Sequence, residues 1–160
     1  MGDALVVGLG FRLGSPVGSM LVGPRKLMDK GRLYRKRLGG GMRQAGVLAA
    51  AGLISLEEMP NRLQQDHDNA QRLATGLAAI AGVRVRPVQT NIVIFDLEHL
   101  TSTELSSQLK TRGVLANGVG PRAMRMVTHY DVTSAQCDEA VRSVADIVNA
   151  ATPALVQSAH

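Results

Sequence analysis

The first 60 residues alternate short apolar runs with turn-forming residues and then change to helical patterns. Continuous apolar runs at residues 4–7 and 20–23 predict two short strands, which are separated by a turn rich in glycine and proline. Residues 25–38 predict a short basic helix that Gly31 weakens, and the alanine- and leucine-rich residues 42–58 predict a more apolar helix. The expected order is therefore strand, strand, helix, helix.

After Pro60 the apolar positions predict a long amphipathic helix and then two strands. Leu63, Ala70, Leu73, Ala74, Leu77 and Ile80 have helical spacing and share one face. We expect Gly82 to close this helix. Val83 and Val85 alternate with arginines and predict a half-buried edge strand, whereas residues 91–97 are apolar on both faces and predict a central strand covered by helices.

Two capping boxes, which begin at Thr101 and Thr133, predict the starts of two further helices. Between these helices, residues 114–116 and 123–128 predict two short strands. The C-terminal hundred residues thus indicate a small α/β layer with the order helix, strand, strand, helix, strand, strand, helix. From Ala151 onward we expect a frayed tail.

Composition limits the class of protein. The chain has 160 residues, of which 45% are hydrophobic, so it can form a globular core. A single cysteine, Cys137, excludes an internal disulfide framework and a cysteine metal cluster, which makes the cytoplasm the default compartment. No apolar run approaches the roughly 20 residues that span a bilayer, so we expect no membrane association.

The net charge of +5 is concentrated in one segment. Residues 25–43 contain eight of the 18 basic residues against one acid, Asp29. Such a cluster suits nucleic acid, a phosphorylated cofactor or an acidic protein surface, or it is simply a solvated face. With only two Tyr, two Phe and no Trp, the chain offers little for stacking on bases, so we do not expect nucleic acid as a partner.

A glycine loop, Leu38-Gly39-Gly40-Gly41-Met42-Arg43-Gln44-Ala45-Gly46, precedes the apolar helix. Glycine loops that open a helix favour anions, because free N–H groups and the positive end of the helix dipole point the same way. The alternative is a flexible connector before a helix of small residues.

Several separate motifs carry a resemblance to one family. They are the Gly14-Ser15-Pro16-Val17-Gly18-Ser19 turn, the glycine loop, the Arg62-Leu63 and Asp66-His67-Asp68-Asn69-Ala70 segment, Thr90-Asn91, and Val127-Thr128-His129-Tyr130-Asp131-Val132. In order and spacing they resemble the C-terminal part of low-specificity L-threonine aldolases. The resemblance implies an α/β fold, the C-terminal part of a fold-type-I transferase dependent on pyridoxal phosphate (PLP). The division it implies is a remnant of the large PLP-binding domain with a linking helix at residues 1–60, a small domain at residues 61–150 and the tail at residues 151–160.

The resemblance also implies an activity and a site. The family's lyases cleave L-threonine or L-allo-threonine to glycine and acetaldehyde, with PLP as the electron sink. Arg125 stands at the position of the arginine that binds the substrate carboxylate, and a guanidinium suits that bidentate contact. Lys36 and Arg43 match basic positions at the cofactor pocket, where the family's subunits meet, so a homo-oligomer is expected.

The chain departs from the family at the lysine that forms the Schiff base with PLP. The family places this lysine five residues before the proline of the Gly-x-Pro-Val-Gly turn, and here that position holds Phe11. A phenylalanine has no amine to react, so no catalytic residue is intact. The expected function is an aldolase-like chain, about half the family's length, that is inactive unless a separate chain supplies the rest. The alternatives are a non-catalytic partner of a full-length homologue and, less favoured, a basic nucleic-acid-binding module.

Overall fold

The computed structural model describes the backbone of residues 4–10 and 13–156 and the side chains up to Ala151. The chain divides into two compact units, one ending at Leu63 and the other beginning at Gln64. Each unit is described by itself below.

The first unit contains a hairpin and two helices. Strands β1 (Leu5–Gly8) and β2 (Ser19–Val22) pair antiparallel, and helices α1 (Arg25–Arg37) and α2 (Gly46–Glu57) follow. A short 3-10 helix, Met59–Arg62, comes next and directly precedes Leu63, the last residue of the first unit. The strand and helix order that the sequence predicts for this part is confirmed.

The glycine loop has a different role from the one that the sequence suggests. Gly39 has a φ of +84°, and the backbone N–H of Gly40 donates to the carbonyl of Arg35 at 2.8 Å. The glycines therefore end α1, because a left-handed residue after the last helical turn lets free N–H groups return to its carbonyls. Helix α2 begins only at Gly46, four residues later than predicted. The prediction that the three glycines open a helix is wrong.

The first unit buries few of its apolar side chains. Its described buried residues are Leu9, Leu13, Ser15, Gly52 and Ser55. Helix α2 is apolar around its whole circumference, yet Val47 is 77% exposed and Leu53 is 57% exposed. This unit therefore presents a large apolar surface on α2, in addition to the strongly basic surface of α1.

The second unit is a four-stranded antiparallel sheet with three helices. Its elements are α3 (Leu63–Ala78), β3 (Val83–Val85), β4 (Ile92–Leu97), α4 (Ser102–Thr111), β5 (Asn117–Gly118), β6 (Ala123–Val127) and α5 (Ser134–Val156). The strand order is β3-β4-β6-β5. The core lies between the sheet and the helices, and its largest fully buried side chains include Phe95, Leu77, Leu105 and Leu109.

The two helix-capping signals in this unit act as predicted. At the start of α4 the Thr101 side chain accepts the Glu104 N–H, while the Glu104 carboxylate accepts the Thr101 N–H at 2.9 Å. The same reciprocal pair joins Thr133 and Gln136 at the start of α5. The prediction that Gly82 closes α3 is wrong, because α3 ends at Ala78 and Gly82, with a φ of +82°, lies in the turn in which the Val83 N–H donates to the Ile80 carbonyl at 3.1 Å.

Two strand predictions need correction. Helices cover only one face of β4, since Val93, Phe95 and Leu97 are buried while Ile92 and Ile94 on the other face are not. The predicted strand at residues 114–116 is absent from the described sheet, and β5 lies at Asn117–Gly118 instead.

The physical reason for the second correction lies in the hydrogen bonds after α4. The Val114 N–H donates to the Leu109 carbonyl at 3.0 Å, and the Ser106 hydroxyl donates to the Ala116 carbonyl at 2.5 Å. The Val114 N–H and the Ala116 carbonyl therefore form hydrogen bonds with residues of α4 instead of with a neighbouring strand. At the other end of the unit, α5 extends to Val156, while the rest of the predicted tail lies outside the described residues.

Candidate substrate-carboxylate site on the open face of the sheet

Arg125 lies on the sheet face that no helix of the second unit covers. Its neighbours on β6, Met124 and Met126, point into the core and are 0% and 6% exposed, whereas Arg125 itself is exposed. Side chains alternate between the two faces of a strand, which places Arg125 on the open face. Among the described residues, no hydrogen bond or ion pair engages its guanidinium.

The strand register defines what surrounds Arg125. Ile94 on β4 and Asn117 on β5 are its cross-strand partners. Residues paired across antiparallel strands share a face, so an aliphatic side chain and an exposed amide flank the guanidinium. Sequence reasoning missed Asn117, because only the strand register brings it beside Arg125.

A second arginine on this part of the sheet is already paired. The Arg86 guanidinium contacts the Asp96 carboxylate through two hydrogen bonds, of 2.9 and 2.7 Å. The hydrogen bonds from Arg86 hold the pKa of Asp96 below its ordinary value, so this carboxylate stays charged. Asp96 is thus paired with Arg86, and Arg125 remains available for an external anion.

A buried hydrogen-bond network fixes the end of β6 beyond Arg125. The Thr128 hydroxyl donates to the Asp66 carbonyl at 2.6 Å, and the Asn91 amide donates to the Thr128 carbonyl at 2.6 Å. The Asn69 amide donates to the Val132 carbonyl at 3.0 Å. These residues come from three of the motifs that carried the family resemblance, and the structure brings them together. The network joins α3, β4 and the segment after β6.

The predicted cofactor residues lie in the first unit. Lys36 is exposed near the end of α1, and its side chain lies over Gly41, where a Cβ would be 3.1 Å from Nζ. Arg43 is exposed in the turn before α2. Phe11, the residue at the position of the family's lysine, lies outside the described residues.

The lysines of this chain do not fit the covalent attachment of PLP. All four, Lys26, Lys30, Lys36 and Lys110, are exposed. A lysine that reacts with a carbonyl at neutral pH is normally desolvated in an apolar pocket or placed beside another cation, and none of these four lysines is buried. Lys36 and Arg43 can meet a phosphate as surface cations, but the described residues do not form a complete cofactor site.

Comparison with known proteins places the chain in a class and then in a family. The aminotransferase TlmJ from Streptoalloteichus hindustanus has the same fold, with a TM-score of 0.75 at 15% identity over 92% of this chain and 53% of that chain. The chain therefore has the predicted α/β fold of fold-type-I PLP-dependent enzymes. The family model of the beta-eliminating lyases matches residues 1–100. The chain belongs to this family, and PLP as the family's cofactor agrees with the resemblance.

Two curated relatives make the likeness more specific. Low-specificity L-threonine aldolase 1 from Arabidopsis thaliana is 41% identical over 137 residues, which are 82% of this chain and 38% of that protein. The low specificity L-threonine aldolase of Escherichia coli K12 is also 41% identical over 137 residues, covering 86% of this chain and 40% of that protein. The chain thus spans about two fifths of the length of these relatives. Within the described residues, no helix is both long and apolar enough to cross a membrane.

Proposed function

We propose that this chain is the part of a threonine-aldolase-type lyase that holds the substrate carboxylate, and that Arg125 is the residue that binds it. The complete activity would cleave L-threonine or L-allo-threonine to glycine and acetaldehyde in the cytoplasm. The observation that carries the proposal is the exposed Arg125 guanidinium on the open face of the sheet, which no described residue engages. The 41% identity to low-specificity L-threonine aldolases supports the substrate class.

The chemistry of the open face suits an amino-acid carboxylate. A guanidinium presents N–H groups in a planar fork that matches two carboxylate oxygens. Asn117, across the strand pair, can add an amide N–H beside it. Since Arg86 is already paired with Asp96, we assign the free anion position to Arg125.

We also propose that the chain does not catalyse the cleavage alone. Phe11 stands where the family has the PLP lysine, and the four lysines of the chain are all exposed. Lys36 and Arg43 remain candidates for phosphate contacts in a complete, oligomeric assembly. The proposed domain division is a part of the large domain at residues 1–60 and the small domain at residues 61–150, and the separation into two compact units near Leu63 supports it.

A second candidate function is a non-catalytic partner of a full-length homologue. The exposed apolar surface of α2 favours it, because such a surface is costly to leave in water and would be covered by a protein partner. Mixing the chain with the E. coli low specificity L-threonine aldolase tests this function. A stable complex in size-exclusion chromatography is expected if it holds, and independent elution contradicts it.

The experiment on the main proposal follows the backbone amide NMR signals of β4, β5 and β6 around Arg125 while L-threonine is added. We expect a saturable shift in the wild-type chain and binding at least about tenfold weaker in Arg125→Gln, because charge-assisted hydrogen bonds contribute about 1.5–3 kcal/mol. Arg84→Gln is the matched control, since Arg84 is also an exposed arginine, paired in register with Asp96. Equal binding by all three proteins would show that Arg125 is not the carboxylate site.

A further inference from the structure

A second site lies within the second unit, on the helix-covered side of the sheet. A cavity of about 330 Å³ opens between α3, the end of α4, the end of β6 and the first turns of α5. Its lining includes the buried side chains of Leu73, Met126 and Cys137. Neither the proposed carboxylate site nor the family match assigns this cavity a role.

The cavity has an apolar floor, and its lining includes three charged side chains, one arginine and the carboxylates of Asp131 and Glu139. Arg112, at the end of α4, and Glu139, on α5, both contribute to it. Among the described residues, neighbours use only Nη1 of Arg112, which lies 3.4 Å from the Ser143 carbonyl and forms an ion pair with the Asp146 carboxylate at 3.2 Å. The described residues provide no ion pair for Glu139. One guanidinium edge and one carboxylate are therefore both available to a ligand.

The other polar groups in the lining are more fully used. His129 lies 3.5 Å from the Asp131 carboxylate. The Gln136 side-chain oxygen accepts hydrogen bonds from Thr133 as part of the α5 capping box. Arg112 is paired with Asp146 through Nη1 alone, so among the described residues its other N–H groups and the Glu139 carboxylate have no hydrogen-bond or ion-pair partner.

We propose that this cavity binds a free α-amino acid with an aliphatic side chain. Its carboxylate would meet the Arg112 guanidinium, its ammonium would meet Glu139, and its side chain would contact Leu73 and Met126. A zwitterion meets the free edge of the Arg112 guanidinium and the Glu139 carboxylate at once, whereas a simple acid or a simple amine meets only one of them. Burial of the aliphatic side chain against the floor supplies the apolar contribution.

This site is separate from Arg125 and does not depend on the proposed function. Met126 points to the covered face, while Arg125, the residue before it, points to the open face. The two sites thus lie on opposite faces of the same strand. A ligand in the cavity would contact the strand that carries the proposed carboxylate site.

Cys137 provides a built-in reporter, because it is the single cysteine of the chain and lines the cavity. L-leucine is the probe, and the rate of Cys137 alkylation by iodoacetamide is measured together with NMR shifts of the cavity residues. We expect L-leucine to slow alkylation several-fold and to shift the signals of α5 and the end of α4. The analogues 4-methylpentanoate, which lacks the ammonium, and 3-methylbutylamine, which lacks the carboxylate, should each bind at least about tenfold more weakly.

Variants distinguish ligand binding in the cavity from ligand binding at the Arg125 carboxylate site. Arg112→Gln and Glu139→Gln should each weaken L-leucine binding at least about tenfold. Arg125→Gln, on the opposite face, and Arg142→Gln, at an exposed position of α5, should leave the cavity shifts unchanged. Failure of L-leucine to protect Cys137 or to shift cavity signals overturns the inference, whatever the result of the L-threonine titration at Arg125. Equal binding of L-leucine and its two analogues overturns it as well.

Discussion

Replacing Gly76 by alanine should destabilise the second unit, although alanine is the better helix former. Gly76 lies on α3 against α5, and a Cβ at this position would be 2.8 Å from each γ-methyl of Val141 and 3.3 Å from its Cβ. Rotation about χ1 of Val141 does not clear the contact, because two methyl groups occupy two of its three staggered positions. The two helices must therefore move apart to accept Gly76→Ala.

Two opposing contributions set the size of the effect. Alanine gains up to about 1 kcal/mol of helix propensity over glycine. Overpacking a well-filled helix contact costs about 1–3 kcal/mol. We therefore expect the free energy of unfolding to fall by about 1 kcal/mol in Gly76→Ala, because the cost of overpacking exceeds the gain in helix propensity.

Urea unfolding followed by far-UV circular dichroism measures this change, and hydrogen exchange of α3 and α5 assigns it to the second unit. Val141→Ala removes both methyl groups and is the partner for a double-mutant cycle. In the Val141→Ala background, Gly76→Ala should be neutral or stabilising. The reasoning is refuted if Gly76→Ala stabilises the protein equally in both backgrounds, because the helix contact would then cost nothing.

Two further predictions concern a helix cap and an ion pair. Thr101→Ala should lower the free energy of unfolding by about 1 kcal/mol, because the reciprocal hydrogen bonds with Glu104 are lost. Thr101→Ser keeps a hydroxyl at the cap and should retain most of the wild-type stability. Equal losses of stability in the two variants, measured by urea unfolding, would contradict the capping role. The hydrogen bonds from Arg72 hold the pKa of Asp138 below its ordinary value, so a carboxyl NMR titration should show a rise in that pKa in Arg72→Gln. Because the folded pKa is the lower one, any stabilisation by this exposed pair is present above the unfolded pKa of about 3.9 and is lost as the pH falls through the folded value. An unchanged Asp138 titration in Arg72→Gln would show that the pair does not form in solution.

Local patterns predicted much of the second unit because its elements carry their own start and stop signals. The capping boxes at Thr101 and Thr133 each depend on residues within a few positions of each other. The spacing of apolar residues on α3 likewise identified the face that joins the core. Such features are readable from the sequence because their geometry is decided locally.

The corrected features depend on contacts that are distant in sequence or on competition between neighbours. The apolar residues of β4 predict burial on both faces, but helices lie on one face only, which no local pattern reveals. The glycine loop contains groups that could open one helix or end another, and the hydrogen bond from Gly40 to Arg35 decides for the end of α1. The candidate site shows the same limit, because the resemblance suggested Arg125, whereas only the strand register places Asn117 beside it.

The central claim is that this chain belongs to a PLP-dependent family yet carries no lysine placed to bind the cofactor covalently. The most direct measurement is to incubate the purified chain with PLP, reduce it with borohydride and map pyridoxyl groups by mass spectrometry, with the E. coli low specificity L-threonine aldolase treated in parallel. We expect the relative to carry one dominant pyridoxyl-lysine and this chain to carry none above the background of denatured protein. Stoichiometric pyridoxyl labelling of a single lysine, Lys36 above all, together with a visible absorbance band that borohydride removes, would contradict the account.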